Sequence, residues 1–152
     1  TPLLIKNSEL AAINYPSHFV VSGASQSLKQ VEKYLKSHDI VYQELPVTHG
    51  FHSSQIDPAA KPYKELLDKK QYHSPRIKYV SCLTGDLLPS IPKDHFWNVV
   101  REPIQFPKAI QALENGQKKI YLDLGPSGTL ANFTKYNLND PLPSGDKPVK
   151  EN

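Results

Sequence analysis

Two short runs of alternating character, Glu9 to Ile13 and His18 to Ser22, flank the turn-forming stretch Asn14-Tyr15-Pro16-Ser17 and predict a β-hairpin. After Gly23 the period changes. Leu28, Val31 and Leu35 share one face at helical spacing while Lys29, Glu32, Lys33 and Lys36 face away, which predicts an amphipathic helix from Ser25 to His38. Ser27 and Gln30 have the spacing of a capping box at its start. Val41, Leu45 and Val47 then alternate as a strand, with Pro46 restricting it to a sheet edge or a strand end. The first fifty residues therefore read as a small α+β sandwich.

Beyond His52 the pattern becomes a longer alternation. Asp57 as N-cap and Pro58 as first helical residue open a helix carrying Leu66 and Leu67, with Pro62 bending it near its start. Lys78 to Leu83 and Lys119 to Leu124 read as strands; Lys93 to Val100, Pro107 to Glu114 and Thr129 to Tyr136 read as helices. Strands separated by helices predict a parallel α/β sheet. Residues 139–152 hold three prolines, Gly145 and alternating charges, the composition of a disordered tail or linker. No internal repeat is present.

The composition narrows the class. With 38% hydrophobic and 22% charged residues among 152, and 14 prolines, the chain reads as a soluble globular protein of many short elements. A domain of this size buries about 68–70% of its unfolded-chain surface. It begins at Thr1 and contains no methionine, so the expectation is a piece cut from something longer. The net charge is +3 and the lysines are scattered instead of clustered, which gives no support to nucleic-acid binding but suits an acidic protein partner or a phosphate-bearing thioester. Cys82 is the single cysteine; it excludes an internal disulfide and reads as a structural thiol within an apolar run. No apolar stretch reaches transmembrane length and no charged-then-apolar leader is present, so the expected setting is cytoplasmic.

Candidate chemistry concentrates in His49-Gly50-Phe51-His52, at a predicted strand-to-helix corner. Two histidines three positions apart on a helix would share a metal ion, but Gly50 and the preceding strand argue for a turning backbone. An imidazole, with an unperturbed pKa of about 6.5, is the side chain best suited to take a hydroxyl proton near neutrality and return it to a leaving group. That role needs a serine or cysteine opposite, and no Gly-x-Ser-x-Gly nucleophile elbow occurs in the chain. Ser53 and Ser54 adjoin the histidine but stand on no strained elbow. Ser127, in Gly125-Pro126-Ser127-Gly128, reads as a glycine-rich turn with a helix cap.

From about Leu10 to Leu138 the chain resembles the C-terminal half of the malonyl-CoA:acyl-carrier-protein acyltransferases, including the acyltransferase domains of polyketide synthases. The resemblance lies in the order and spacing of Leu10-Ala-Ala-Ile-Asn-Tyr-Pro, Phe19-Val-Val-Ser-Gly23, Leu45-Pro-Val-Thr-His-Gly-Phe-His-Ser53, Trp97 through Arg101-Glu-Pro103, and Tyr121-Leu-Asp-Leu-Gly-Pro-Ser-Gly128 followed by Leu130. It implies a ferredoxin-like small subdomain joined to the C-terminal part of an α/β-hydrolase-like large one, with the active site between them. Residues 8–50 would be most of the small subdomain and residues 51–138 the closing part of the large one.

In such enzymes a serine attacks an acyl-CoA thioester, a histidine serves as base and then acid, and the acyl group passes to the phosphopantetheine thiol of an acyl carrier protein. His52 matches that histidine. The resemblance implies malonyl-CoA as substrate, no bound cofactor, no metal, and as partners an acyl carrier protein and the upstream half of the same domain, without which this chain would be inactive. His49-Gly50-Phe51-His52 is similar to the His-Ala-Phe-His form that accompanies malonyl units, with Phe51 narrowing the space for a methyl branch, and Gly50 in place of alanine is expected to matter little. Val99 stands where relatives supply the backbone carbonyl that orients the histidine. Asn14 matches a family asparagine near the pocket, and a turn-forming role accounts for it as well. Arg101 is expected to pair near a helix end, because the family arginine that holds the malonyl carboxylate lies upstream with the serine. Two other readings remain: an acyl hydrolase of the same fold that clears stalled acyl chains from carriers, and a non-catalytic module docking to acidic carrier proteins.

Overall fold

The computed structural model describes residues 7–114, 116 and 119–139. Strand β1 (Ser8–Tyr15) runs antiparallel to β2 (His18–Gly23), forming the expected hairpin. Its register slips twice: Leu10 faces Val21 but Ala12 faces Val20, and Ile13 faces Phe19 but Tyr15 faces His18. Each slip is a β-bulge, which bends a strand and re-aims a side chain. The simple alternation is broken accordingly, and Ala11, Ala12 and Asn14 are all buried.

At the end of β2 the chain passes so close to the start of β1 that a Cβ on Gly23 would lie 2.6 Å from the Asn7 carbonyl oxygen. The backbone turns at once into α1 (Ser25–Ser37), with Ala24 as N-cap and no side-chain cap bond. The capping box expected of Ser27 and Gln30 is therefore not the start signal, since Ser27 is buried inside the first turn. Val31, from the predicted apolar face, is buried, and α1 packs on β2.

The strand expected from Val41 to Val47 does not form. Val41 is 98% exposed and Val47 64%, and the N–H of Val47 bonds locally to the Leu45 carbonyl. Alternation makes a strand only where the segment pairs with a neighbour, and among the described residues this one pairs with neither outer strand of the β2-β1-β5 sheet. A tightly wound 3-10 helix, Ser54–Ala59, then leads into α2 (Ala60–Leu67). Its cap is Ser53, whose Oγ accepts the N–H of Gln55, while Asp57, expected in that role, is drawn to Arg101. Pro62 falls in the first turn of α2, where its missing N–H leaves no helix bond unmade.

Strands β3 (Tyr79–Val80) and β4 (Leu87–Leu88) form a short antiparallel ribbon, followed by α3 (His95–Arg101). Strand β5 (Ile104–Gln105), which the hydrophobic pattern does not announce, pairs parallel to β1 through Ala12–Ile104 and Ile13–Gln105 and joins the two halves of the chain in one sheet of order β2-β1-β5. Helices α4 (Phe106–Leu113) and α5 (Thr129–Asn139) pack on β1 and bury Ala109 and Ile110. Trp97 of α3 is buried beside Tyr63 of α2, ring centroids 5.8 Å apart.

Among the described residues the expected parallel sheet is thus reduced to one parallel pair. The Lys78 to Leu83 run pairs for only two residues, and residues 119–124 form no strand among the described residues. The tail expected from Asn139 onward lies outside the described residues, apart from Asn139 itself, which ends α5. No helix among the described residues is long and apolar enough to cross a membrane.

Candidate active site

His52 has φ +59°, the left-handed region, where a non-glycine residue costs about 1–3 kcal/mol and persists only when its surroundings enforce it. The enforcement comes from the end of α3. The His52 N–H donates to the Val100 carbonyl at 2.9 Å, and Nδ1 of the ring lies 3.1 Å from the Glu102 carbonyl oxygen. A carbonyl only accepts, so Nδ1 carries the proton and Nε2 presents a lone pair. In this tautomer Nε2 is the ring's proton-accepting atom, and the Glu102 carbonyl sets its direction.

Helix α3 stops where it does because Pro103 has no N–H to continue the ladder. The last helical bond runs from the Glu102 N–H to the Asn98 carbonyl, and Glu102, constrained by the following proline, is extended at φ −90°, ψ 156°. That turn swings the Glu102 carbonyl out toward His52. The carbonyl expected to orient the ring was Val99's; the structure assigns the contact to Glu102, three residues on, because Val99 is still within the helix. Val99 instead lines an open apolar groove of about 200 Å³ with Tyr79, Cys82, Leu83 and Pro103.

The turn before the histidine is packed with little tolerance. Ser53 is fully buried; its hydroxyl donates to the Gly50 carbonyl at 2.7 Å and sits 3.2 Å from Ser22 Oγ on β2. A Cβ on Gly50 would come within 2.7 Å of Gln55 Cβ and 2.9 Å of Ser22 Oγ. An alanine here would force one of these neighbours to shift, so the exchange that was expected to matter little bears on the packing of the turn. Neither neighbouring serine is free to act as a nucleophile: Ser54 donates through both its N–H and its hydroxyl to the Glu9 carboxylate.

Arg101 completes the surroundings. Its Nε and a terminal nitrogen engage the two carboxylate oxygens of Asp57, and Nη1 stands 3.8 Å from Glu9 Oε2. The Asp57 hydrogen bond raises the guanidinium pKa further. The expected pairing near a helix end is present.

His49 and Phe51 lie on the same turn as His52, exposed, with ring centroids 6.1 Å apart; Thr48 Oγ1 fixes His49 Nδ1 at 2.8 Å. Asn14 is elsewhere. It occupies the second bulge near the far end of β1, on the order of 16 Å along the strand from Glu9. Its side chain bonds His18 Nδ1 at 3.0 Å, and its carbonyl accepts from Asn137 Nδ2 at 2.7 Å. Burial pushes the Cys82 thiol up, away from the reactive thiolate, as its structural reading expects. Ser127 pairs with Thr129 at the turn before α5. No cluster of three or more His, Cys, Asp or Glu side chains among the described residues is placed to hold a metal ion.

Sequence reasoning missed Glu102, Glu9 and Asp57. Glu102-Pro103 was a usable signal, since a residue before proline leaves the helix and offers its carbonyl. Nothing local marked Glu9, which reaches the site only through the β1–β2 pairing.

No family model matches the chain. It is 47% identical over 137 residues to the polyketide biosynthesis acyltransferase homolog BaeD of Bacillus velezensis, covering 90% of this chain and 42% of that protein. It is 48% identical over 134 residues to the acyltransferase homolog PksD of Bacillus subtilis, covering 88% and 41%. The chain thus spans under half the length of these relatives. Among solved structures, the acyl transferase domain of SpnD, in complex with a 2-(pent-4-yn-1-yl)malonyl group, superposes with a TM-score of 0.85 at 26% identity over 97% of this chain and 36% of that one.

Proposed function

We propose, from the premise that this chain belongs to the acyltransferase family of polyketide biosynthesis and spans part of its domain, that it supplies the histidine side of an acyl-transfer site. The observation that carries this reading is the bond between His52 Nδ1 and the Glu102 carbonyl, which leaves Nε2 free as a base. The nucleophile is a serine in the remaining part of the domain. Its Oγ loses its proton to Nε2 as it attacks the thioester of malonyl-CoA, and the imidazolium returns that proton to the departing thiolate. The phosphopantetheine thiol of an acyl carrier protein, deprotonated in turn by His52, then attacks the acyl-serine ester and releases the serine with the proton. His49 and Phe51, on the same turn, border the acyl group.

The domain assignment goes with this reading: residues 8–50 form most of the small subdomain, residues 51–138 the closing part of the large one, and the chain alone is inactive. Its physical support is an uncovered apolar row. Ile120, Leu122 and Leu124 are 91%, 80% and 95% exposed along one side of an extended segment. On the other side Tyr121 donates to Glu114, its pKa pushed up to about 12 by burial and that carboxylate, and Asp123 accepts the N–H groups of Gly125 and Ala131. An exposed row of this kind is what a segment presents when the element that packs over it is absent.

Intact mass spectrometry after incubation with malonyl-CoA tests the proposal. A malonyl adduct is expected on a protein holding the whole domain and none on residues 1–152. Transfer of the adduct to a carrier protein supports acyltransferase activity; loss to water alone points to a hydrolase. An adduct on the 152-residue chain would place the nucleophile within it and overturn the reading.

A further inference from the structure

We propose that Arg101 is the positioning residue of His52, holding the ring in the tautomer that leaves Nε2 free. The inference rests on the reading of His52 as the base and adds the means by which the chain keeps it one.

The ring and its acceptor belong to different segments. His52 is carried by the turn that enters the 3-10 helix, and the Glu102 carbonyl lies just beyond the end of α3. The His52 N–H already bonds the Val100 carbonyl, but that bond fixes the backbone and leaves the direction of the ring to the 3.1 Å contact alone. Arg101 ties the two segments together. It directly precedes Glu102, and its planar fork spans both oxygens of Asp57, which lies in the 3-10 helix behind His52. Its remaining arm faces Glu9, and Glu9 in turn holds the N–H and hydroxyl of Ser54. One guanidinium thus fixes the element after the histidine to the element that supplies its acceptor.

The magnitudes favour orientation over stability. The Arg101 side chain is 21% exposed, and its partners Asp57 and Glu9 are 51% and 37% exposed. Pairs this wet contribute about 0–1 kcal/mol. A two-pronged guanidinium–carboxylate contact, however, fixes direction as well as distance. Lysine offers a point charge in its place and does not reproduce the fork.

The test reads the ring itself. The chain is labelled with nitrogen-15, and the imidazole signals of His52, assigned by their loss in His52→Asn, are recorded well above the ordinary imidazole pKa. The native chain is expected to show Nδ1 protonated and Nε2 bare. In Arg101→Gln, and in Asp57→Asn, which cuts the same tie from a half-exposed partner, the signals are expected to move toward the Nε2–H form that free histidine side chains favour. Arg101→Lys is expected to restore the native tautomer only in part. An unchanged Nδ1–H signal in either Arg101→Gln or Asp57→Asn, with the amide spectrum still that of a folded chain, overturns the proposal. If Arg101→Gln fails to fold, Asp57→Asn alone decides it. The tautomer is read without acyl transfer, so this result and the mass-spectrometric one fail independently.

Discussion

His52 and Glu102, fifty positions apart, meet where the imidazole Nδ1 comes 3.1 Å from the backbone carbonyl. The contact leaves Nε2 as the ring's proton-accepting atom, and the positive φ of His52 is the strained geometry that permits it. Replacements at this position therefore separate chemistry from folding. His52→Asn keeps a residue type that tolerates the left-handed region, and His52→Val introduces one that does not. Urea unfolding is expected to place the asparagine variant close to the native chain and the valine variant about 1–2 kcal/mol below it. In a protein holding the whole domain both lose the proton acceptor, and the transfer rate falls by about 10²–10⁴-fold.

Gly50→Ala is the sharpest packing test. The new methyl would meet Gln55 Cβ at 2.7 Å, and that atom cannot swing away without moving the backbone of the 3-10 helix. Crowding of this kind costs about 1–3 kcal/mol, expected as a lowered urea midpoint at unchanged slope. A midpoint equal to the native one would mean that the turn is looser than its contacts indicate.

Ser53→Ala removes a fully buried hydroxyl that donates to the Gly50 carbonyl and caps the 3-10 helix. The bare carbonyl and the uncapped N–H of Gln55 together lead to an expected loss of about 1–3 kcal/mol. Ser54→Ala, which removes an exposed hydroxyl that donates to Glu9, is expected to cost less in the same unfolding measurement.

What the sequence disclosed and what it withheld divide by range. The hairpin, α1 and the helices near Trp97, Ile110 and Phe133 follow from periodicity, since each buries a face that its own spacing defines. The strands at Val41 to Val47 and Lys119 to Leu124 have the right alternation but pair with no strand among the described residues, although β2 and β5 each keep an outer edge, so alternation alone does not decide pairing. His52 was legible because its motif is local. Its acceptor was misplaced from Glu102 to Val99 because the carbonyl that turns outward depends on where Pro103 ends the helix, and the Glu9–Arg101–Asp57 tie depends on pairings far apart in the chain. Gly50 was judged by its side chain alone, whereas its neighbours from β2 and the 3-10 helix decide the matter.

His95 gives the fold a pH dependence of predictable sign. It is 3% exposed, with Nε2 2.9 Å from the Tyr79 hydroxyl, and burial lowers its pKa below the ordinary imidazole range. Between the lowered native value and the ordinary unfolded one, about 6.5, the unfolded chain binds more protons than the native. The stability tied to His95 is therefore full above that value and declines as pH falls through the window. Urea midpoints measured across it are expected to fall more steeply for the native chain than for His95→Gln, and equal slopes would remove His95 as the cause.

Leu122→Glu tests whether the apolar row is a severed face. In the 152-residue chain Leu122 is 80% exposed and its neighbours Ile120 and Leu124 more so, so the substitution removes little packing. An effect within about 0.5 kcal/mol is expected there, with less self-association, because a charge interrupts an exposed edge. In a protein holding the whole domain the same residue would lie under the element that covers the row, and burying a carboxylate without a partner is strongly unfavourable. That protein is expected to lose its cooperative unfolding transition or several degrees of Tm, while Tyr121→Phe, on the already covered side, affects both chains alike. A Leu122→Glu effect of equal size in both proteins would mean that the row stays open in the complete domain, and the division of the sheet proposed for this chain would have to be redrawn.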